Sequence, residues 1–394
     1  MPMNRCTLAL LAAALLTVVA GGAVARPYVP ADDGVVLERL PERTDPALAE
    51  LKRMRVALAA HPDDLENAAR VARRSIEAAR ATGDPRFLGQ AQAALAPWWV
   101  APDPPSSVLL LRATLKQSQH DFPGALADLD RLLAARPNDG QALLTRATVL
   151  TVQGRYPDAR RDCGRLSRLT SALIATACSA GAVSLNGAAG EAYDALVRNL
   201  ASTAESDGMR EWALTLAAEL AARRGDNDAA DRHFRAALAL DPRDAYLKGA
   251  YTDFLLGQSR PREVIALLQA ETSNDSLLLR LALAEQALPD QRAVFDGHRR
   301  DLRDRFAAAR MRRDTVHLRE EARFELEIMQ DSGKALALAR QDWQVQKEPA
   351  DLRVLAAAAR ATGDAAAKST VADWFAATGL EDVVAQTAAG RATP

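Results

Sequence analysis

The chain of 394 residues carries 50 Lys and Arg against 51 Asp and Glu, a formal net charge of −1 at pH 7. This balance provides no overall field for nucleic acid or an anionic membrane, so neither is predicted as a partner. Apolar residues make up 48% of the chain but aromatic residues only 5%. Ala and Leu must therefore do most of the packing, and the sequence contains no alternating strand pattern bounded by hairpin turns.

The first 25 residues have the parts of a cleavable secretory signal. A basic start containing Arg5 precedes the apolar run Leu8 to Ala20, and small residues lead up to Ala25. The run is too short to cross a bilayer comfortably, so cleavage after Ala25 is expected; an uncleaved anchor is the alternative. The predicted mature protein is periplasmic or secreted, without stable membrane insertion.

After the signal, residues 26–45 contain three prolines and are predicted to be extended. Helical patterns then fill 46–105, which we interpret as divergent N-terminal repeats. A Pro-rich corner at the end of this region contains Trp98 and Trp99. The two rings either plug the joint between helical hairpins, which is the preferred reading, or form a secondary patch that anchors a ligand.

Residues 106–173 contain one pattern written twice, with an offset of 34 residues. Leu-Leu-Leu-Arg-Ala-Thr at 109–114 returns as Leu-Leu-Thr-Arg-Ala-Thr at 143–148. Self-similarity at this period is typical of a helix-turn-helix array. Neither helix of such a hairpin can bury its apolar stripe alone, so the hairpins are predicted to stack.

Small residues twelve positions apart mark where the two helices of a hairpin come closest. The pairs are Ala113 and Ala125, Ala147 and Ala159, Ala180 and Ala192, and Ala218 and Ala230. Around the last pair, Gly225 suits the turn, Phe234 fills the core and Pro242 stops the helix. The longer step from Ala180 to Ala218 predicts an insertion of about one helical turn near 202–208.

These features resemble the tetratricopeptide repeat (TPR) family, most clearly at 106–173 and 211–244. The resemblance implies an all-α fold, an α-solenoid of TPR-like helical hairpins in a right-handed superhelix. We place the TPR array at 106–270 and divergent C-terminal repeats at 271–394. The resemblance also implies an exported bacterial member, given the signal.

One C-terminal helix, near 290–313, is rich in arginine, including Arg299, Arg300 and Arg303. These residues could form a secondary patch for an anionic partner such as a polysaccharide or a lipid head group. A solvated face is the preferred reading because acids are spaced for i,i+4 pairs. The expected pairs are Asp296–Arg300, Arg300–Asp304 and Asp301–Arg305.

No catalytic or metal-binding pattern is present. The five histidines are scattered without ligand spacing: His61, His120, His233, His298 and His317. Neither a phosphate-cradling glycine loop nor a nucleophile elbow occurs. We therefore predict a non-enzymatic protein without cofactor or metal.

The resemblance implies a concave groove lined by the first helix of each repeat. Carried over position by position, the groove residues are Ser107, Leu110, Thr114, Gln117, Gln141, Leu144, Thr148, Thr151, Trp212, Thr215, Glu219 and Ala222. The Lys and Asn of the family's carboxylate clamp are missing from these positions, so a mixed groove for an extended peptide or partner helix is predicted.

Two functions remain open. The first is an exported adaptor that binds a partner protein or peptide and scaffolds an envelope complex for secretion or assembly. The alternative is a periplasmic accessory subunit that binds glycan or another small ligand through the Trp corner and the Arg-rich helix. The sequence names neither the partner nor the oligomeric state.

Two sets of tertiary contacts are also predicted. Arg112 with Asp128, and Arg146 with Asp162, share a 16-residue separation across a turn and either pair there or leave each Arg facing the groove. Cys163 and Cys178 lie equidistant from a turn near 170–171, which places them level on adjacent helices. They form a disulfide candidate in an oxidising compartment; two buried free thiols are the alternative.

Overall fold

A computed structural model describes Asp32 and residues 46–312 and 314–391. The predicted signal segment, and all of 26–45 except Asp32, lie outside the described residues. The first ten helices, α1 to α10, are Pro46–Ala60, Leu65–Thr82, Arg86–Ala94, Ala96–Trp99, Ser106–Ser118, Phe122–Ala135, Gly140–Val152, Tyr156–Leu166, Ala172–Val183 and Ala189–Ser202. The remaining helices, α11 to α21, are Asp207–Arg223, Asn227–Leu240, Ala245–Gly257, Pro261–Leu268, Asp275–Gln286, Arg292–Met311, Leu318–Glu327, Ser332–Val345, Pro349–Thr362, Ala365–Thr378 and Val383–Ala388.

All regular structure in this part of the chain is helical, and helices cover 77% of the described residues. Neighbouring helices pair as hairpins: α2 with α3, α5 with α6, α7 with α8, α9 with α10, α11 with α12, α13 with α14, α15 with α16, α17 with α18, and α19 with α20. The predicted α-solenoid of TPR-like hairpins is therefore confirmed. None of the described helices has the length and apolar character needed to cross a membrane.

A left-handed residue closes the first helix of each central hairpin. These residues are His120, Gly154, Gly187, Gly225 and Ser259, with φ between 55° and 82°. At Gly154 the next amide, Arg155 N–H, donates to the Leu150 carbonyl at 2.8 Å, which satisfies an otherwise free helix-end acceptor. The repeated turns place the hairpin tips in register along one edge of the array.

The predicted small-residue contacts are all buried. Ala113, Ala125, Ala159, Ala218 and Ala230 have no exposed surface, and the other three alanines of the four pairs expose 6% or less. Helix backbones can approach closely only where side chains are this small, so Leu and Phe fill the layers between hairpins. The predicted extra turn also appears, because α11 has 17 residues where α7 has 13.

The C-terminal hairpins pack against the row of hairpin turns. Lys347 N–H donates to the Val152 carbonyl at 2.7 Å. A Cβ atom added at Gly379 would lie 3.4 Å from the Gly187 Cα, and one added at Gly225 would meet Val383 at 3.8 Å. The segment after α18 thus runs along the tips of successive hairpins, a contact that the sequence did not predict.

Candidate binding surface

The residues predicted to line a groove form one stripe on the first helices of three hairpins. Ser107, Gln141 and Thr148 are exposed; Leu110, Thr114, Gln117, Leu144, Thr151, Trp212, Glu219 and Ala222 are half-buried; Thr215 is buried. On α11 the Thr215 hydroxyl donates to Glu211 at 2.8 Å. Of the four predicted groove positions on α11, Trp212, Glu219 and Ala222 therefore remain accessible to a ligand.

The stripe is less polar than its threonines suggest. Thr114 and Thr148 each donate to the carbonyl four residues earlier at 3.0 Å, and Thr151 does so at 2.8 Å. Because these hydroxyls are already satisfied within their own helices, their methyl groups are left to contact a ligand. The stripe on α5 and α7 thus offers small apolar contacts flanked by Gln117 and Gln141.

On α11 and α13 the same side of the array becomes acidic. The Tyr246 ring is 62% exposed, and its hydroxyl donates to Glu219 at 2.7 Å. The negative charge of Glu219, to which the hydroxyl donates, raises the pKa of Tyr246 well above its usual range.

Two acids of this region lack a cationic partner at ion-pair distance within the described residues. Burial raises the pKa of Glu211 to about 7, with Asp244 and Asp241 adding to the rise. Burial also raises the pKa of Glu219, although its bond to Tyr246 opposes this. A bound cationic group would lower both pKa values because it would favour the charged carboxylates.

The two predicted interhelix ion pairs are present, and both are bidentate. Arg112 donates to Asp128 at 2.8 and 2.6 Å, and Arg146 donates to Asp162 at 2.7 Å from two nitrogens. Arg146 also reaches Asp130 on α6 at 2.7 Å. Each arginine therefore joins the two helices of its hairpin instead of facing the groove.

The predicted disulfide is also present. The sulfur atoms of Cys163 on α8 and Cys178 on α9 are bonded, with their Cα atoms 5.6 Å apart. Their side chains are buried, so the bond lies inside the interface between two hairpins.

Three predicted pairs on the Arg-rich helix α16 are wrong. In the described structure Asp296 lies 3.3 Å from Arg292 and from Arg299, not beside Arg300. Asp304 pairs with Arg303 at 3.0 Å.

Arg305, expected beside Asp301, turns to Asp275 at 2.8 Å and to the Thr272 carbonyl at 3.0 Å. The neighbouring helix α15 begins there and offers two acceptors at once. Arg299 is half-buried, and Arg300 and Arg303 are exposed.

The tryptophan pair at the end of α4 is half-buried. Trp98 and Trp99 pack against a core cluster that includes Leu95 and Leu111, and the Trp99 carbonyl accepts a hydrogen bond from Arg112. These contacts are those of a plug between α2–α3 and α5, the preferred of the two readings.

No group of three metal-ligating side chains occurs in residues 46–312 and 314–391 or at Asp32. Two histidines have structural partners instead. His298 contacts the buried Glu285 at 2.9 Å, and His233 contacts the Tyr193 hydroxyl at 3.0 Å.

No protein-family model matches the chain. A curated relative, tetratricopeptide repeat protein 36 of Bos taurus, is 44% identical over 64 residues, which is 15% of this chain. The chain spans about a third (34%) of the length of that relative.

Three solved structures are similar in arrangement. Human IFIT1, determined as a dimer with PPP-AAAA, has a TM-score of 0.43 and 14% identity, with 87% of this chain and 84% of that chain covered. A tetratricopeptide repeat protein from Parabacteroides merdae has a TM-score of 0.26 and 11% identity over 84% of this chain and 92% of that one. The TPR domain of P58(IPK) has a TM-score of 0.25 and 16% identity over 83% and 96%.

Proposed function

We propose that the protein is an exported, non-enzymatic adaptor that binds a partner protein or peptide and scaffolds a complex in the cell envelope. The observation that carries the proposal is the half-exposed stripe on α5, α7 and α11. An amphipathic helix or extended peptide would cover its methyl groups, while Gln141 and Glu219 supply polar contacts. The TPR-like fold supports a protein partner, since function in such arrays lies on the surface of the stacked first helices.

Two further features support export. The N-terminal pattern of basic, apolar and small residues ends at Ala25. A disulfide between Cys163 and Cys178 persists in an oxidising compartment and is rare in the cytosol. N-terminal sequencing of protein recovered from the periplasm of a Gram-negative host should begin at Arg26. A chain that starts at Met1 and stays in the cytoplasm would refute export.

The binding surface can be tested by site-specific photo-crosslinking in cells. A crosslinking amino acid at Gln141 or Thr148 should capture envelope proteins, because both side chains are exposed on the stripe. The matched control is Arg160, which is exposed on the second helix of the same hairpin. Equal capture at all three positions, or none at Gln141 and Thr148, would overturn the assignment of the stripe as the binding surface.

A further inference from the structure

An open cleft lies between α9 and α10, away from the stripe. Its volume is about 560 Å³, within the size range of ligand-binding pockets. The residues that matter here are Ser179, Val183, Glu191, Asp194, Ala195 and Arg198. Ala195 and Val183 form an apolar floor, and the three charged side chains are exposed at the rim.

The same cleft exists in the preceding hairpin, but there it is largely filled. Bounded by α6, α7 and α8, it has a volume of about 170 Å³, and Arg146 and Asp162 line it. When the two repeats are aligned so that Ala180 matches Ala147, Ser179 falls at the position of Arg146 and Ala195 at the position of Asp162. The larger cleft therefore opens where a bidentate ion pair has been replaced by two small side chains.

A third position also differs between the two aligned repeats. Arg146 also reaches Asp130 on the preceding hairpin, and the residue equivalent to Asp130 one repeat later is Gly164. A Cβ atom added at Gly164 would meet nothing within 4 Å. The cross-link between Cys163 and Cys178 holds α8 to α9 beside these positions, so the interface stays closed without the lost ion pairs.

The rim of the open cleft has a net negative charge. Glu191 and Asp194 have no cation at ion-pair distance within the described part of the chain, and Arg198 is the single basic residue of the lining. In the preceding hairpin the position of Asp194 is held by Arg161, which pairs with Asp158. The sign of the charge at this point of the rim is thus reversed.

We propose that the cleft between α9 and α10 binds an arginine side chain of a partner polypeptide. The aliphatic stem would lie on Ala195 and Val183, as the stem of Arg146 lies in the equivalent cleft of this chain. The guanidinium would donate to Glu191 and Asp194 at the rim, and its planar fork suits two carboxylates better than a lysine ammonium does. The site lies off the stripe, so it goes beyond the proposed function and does not depend on it.

The test uses the full chain labelled at Ala and Val methyl groups and observed by NMR. The probes are blocked pentapeptides of glycine with a central Arg, Lys, Leu or Glu. The Arg peptide should shift the methyl signals of Ala195 and Val183 in a saturable way, the Lys peptide should bind more weakly, and the Glu peptide should have no effect. Substituting Glu191→Gln with Asp194→Asn should weaken Arg-peptide binding by about tenfold, whereas Asp228→Asn on α12 should leave it unchanged.

The second part of the test uses a variant in which the cleft is filled. The double substitution Ser179→Arg with Ala195→Asp rebuilds the ion pair of the preceding hairpins and should abolish the shifts while the chain stays folded. Leu and Arg peptides that bind equally well, with no loss in the Glu191→Gln, Asp194→Asn variant, would identify an apolar docking site and overturn the proposal. The absence of any saturable shift with the Arg peptide would overturn it as well.

Discussion

Trp374 of α20 packs edge-on against Tyr156 of α8, with ring centroids 6.2 Å apart and an interplanar angle of 66°. Trp343 contacts the same indole in a T-shaped arrangement, with ring centroids 5.1 Å apart and an interplanar angle of 84°. The turn before Tyr156 leaves just enough space for this ring, because a Cβ atom added at Gly154 would lie 2.5 Å from it. One glycine thus serves both a left-handed turn and the docking of a hairpin that follows much later in the chain.

The two roles of Gly154 can be separated by a matched control. Gly154 and Gly363 both have φ of 74°, but nothing lies within 4 Å of a Cβ atom added at Gly363. Gly363→Ala should cost about 1–2 kcal/mol of unfolding free energy for the left-handed conformation alone. Gly154→Ala should cost a further ~1–3 kcal/mol, because the methyl group displaces Trp374. Denaturant unfolding measures both, and equal losses would contradict the docking role of Gly154.

The Arg146–Asp162 pair should dominate the stability of its hairpin. Both side chains are largely buried, so reversing one charge leaves two like charges together and should cost about 3–5 kcal/mol. Reversing both, Arg146→Asp with Asp162→Arg, should recover part of that loss, although Asp130 then loses its partner. A double-mutant cycle by urea unfolding gives the coupling energy. A double variant no more stable than the worse single variant would argue against the contact.

The disulfide should stabilise the centre of the array. Cys163 and Cys178 close a 15-residue loop, which is worth up to ~3 kcal/mol through the unfolded chain. Cys163→Ala with Cys178→Ala should lower the unfolding free energy by that amount or less. Mass spectrometry of protein recovered from the periplasm of a Gram-negative host, alkylated after denaturation without reductant, should find no free thiol. Two alkylated cysteines would show that the bond does not form in the cell.

The joint between α18 and α19 contains two buried carboxyls bridged by one amide. Gln346 donates to Asp342 and to Asp351 at 3.1 Å each, and Arg319 reaches Asp351 at 3.1 Å. Burial raises the pKa of Asp342 to about 6, and burial together with the charge of Asp342 raises that of Asp351. Glu348 and Glu320 add negative charge to the same joint.

A raised pKa in the folded protein means that the protonated carboxyl is the one that folding favours. The stabilisation of the folded state by the protonated carboxyl is fully present below about pH 4, where an unfolded Asp is also protonated. It is lost as pH rises through about 6 for Asp342. The loss amounts to about 1.4 kcal/mol per pH unit for each proton released. Asp342→Asn should flatten the profile between these pH values, measured by denaturant unfolding at each pH. Parallel profiles for the two proteins would contradict a shifted carboxyl pair.

Contacts within one or two repeats could be predicted from the sequence. The alanine pairs, the Arg112–Asp128 and Arg146–Asp162 pairs and the disulfide all join helices that are adjacent in the chain. Their separations are short enough for helix geometry and turn position to determine which residues meet. On α16 the same reasoning failed for Arg305, because Asp275 of the preceding helix and the Thr272 carbonyl are its acceptors instead of Asp301.

The sequence by itself determined the class of the fold, the length of each repeat and the close contacts inside each hairpin, since these depend on a local periodicity and on small residues at a regular spacing. Only the tertiary structure decided that Trp374, Gly379 and Val383 contact the turns at Gly154, Gly187 and Gly225. It also decided that the Lys347 N–H meets the Val152 carbonyl at the tip of an earlier hairpin. These features arise because small rotations between successive repeats add up along the array, and no short-range pattern in the sequence records that sum.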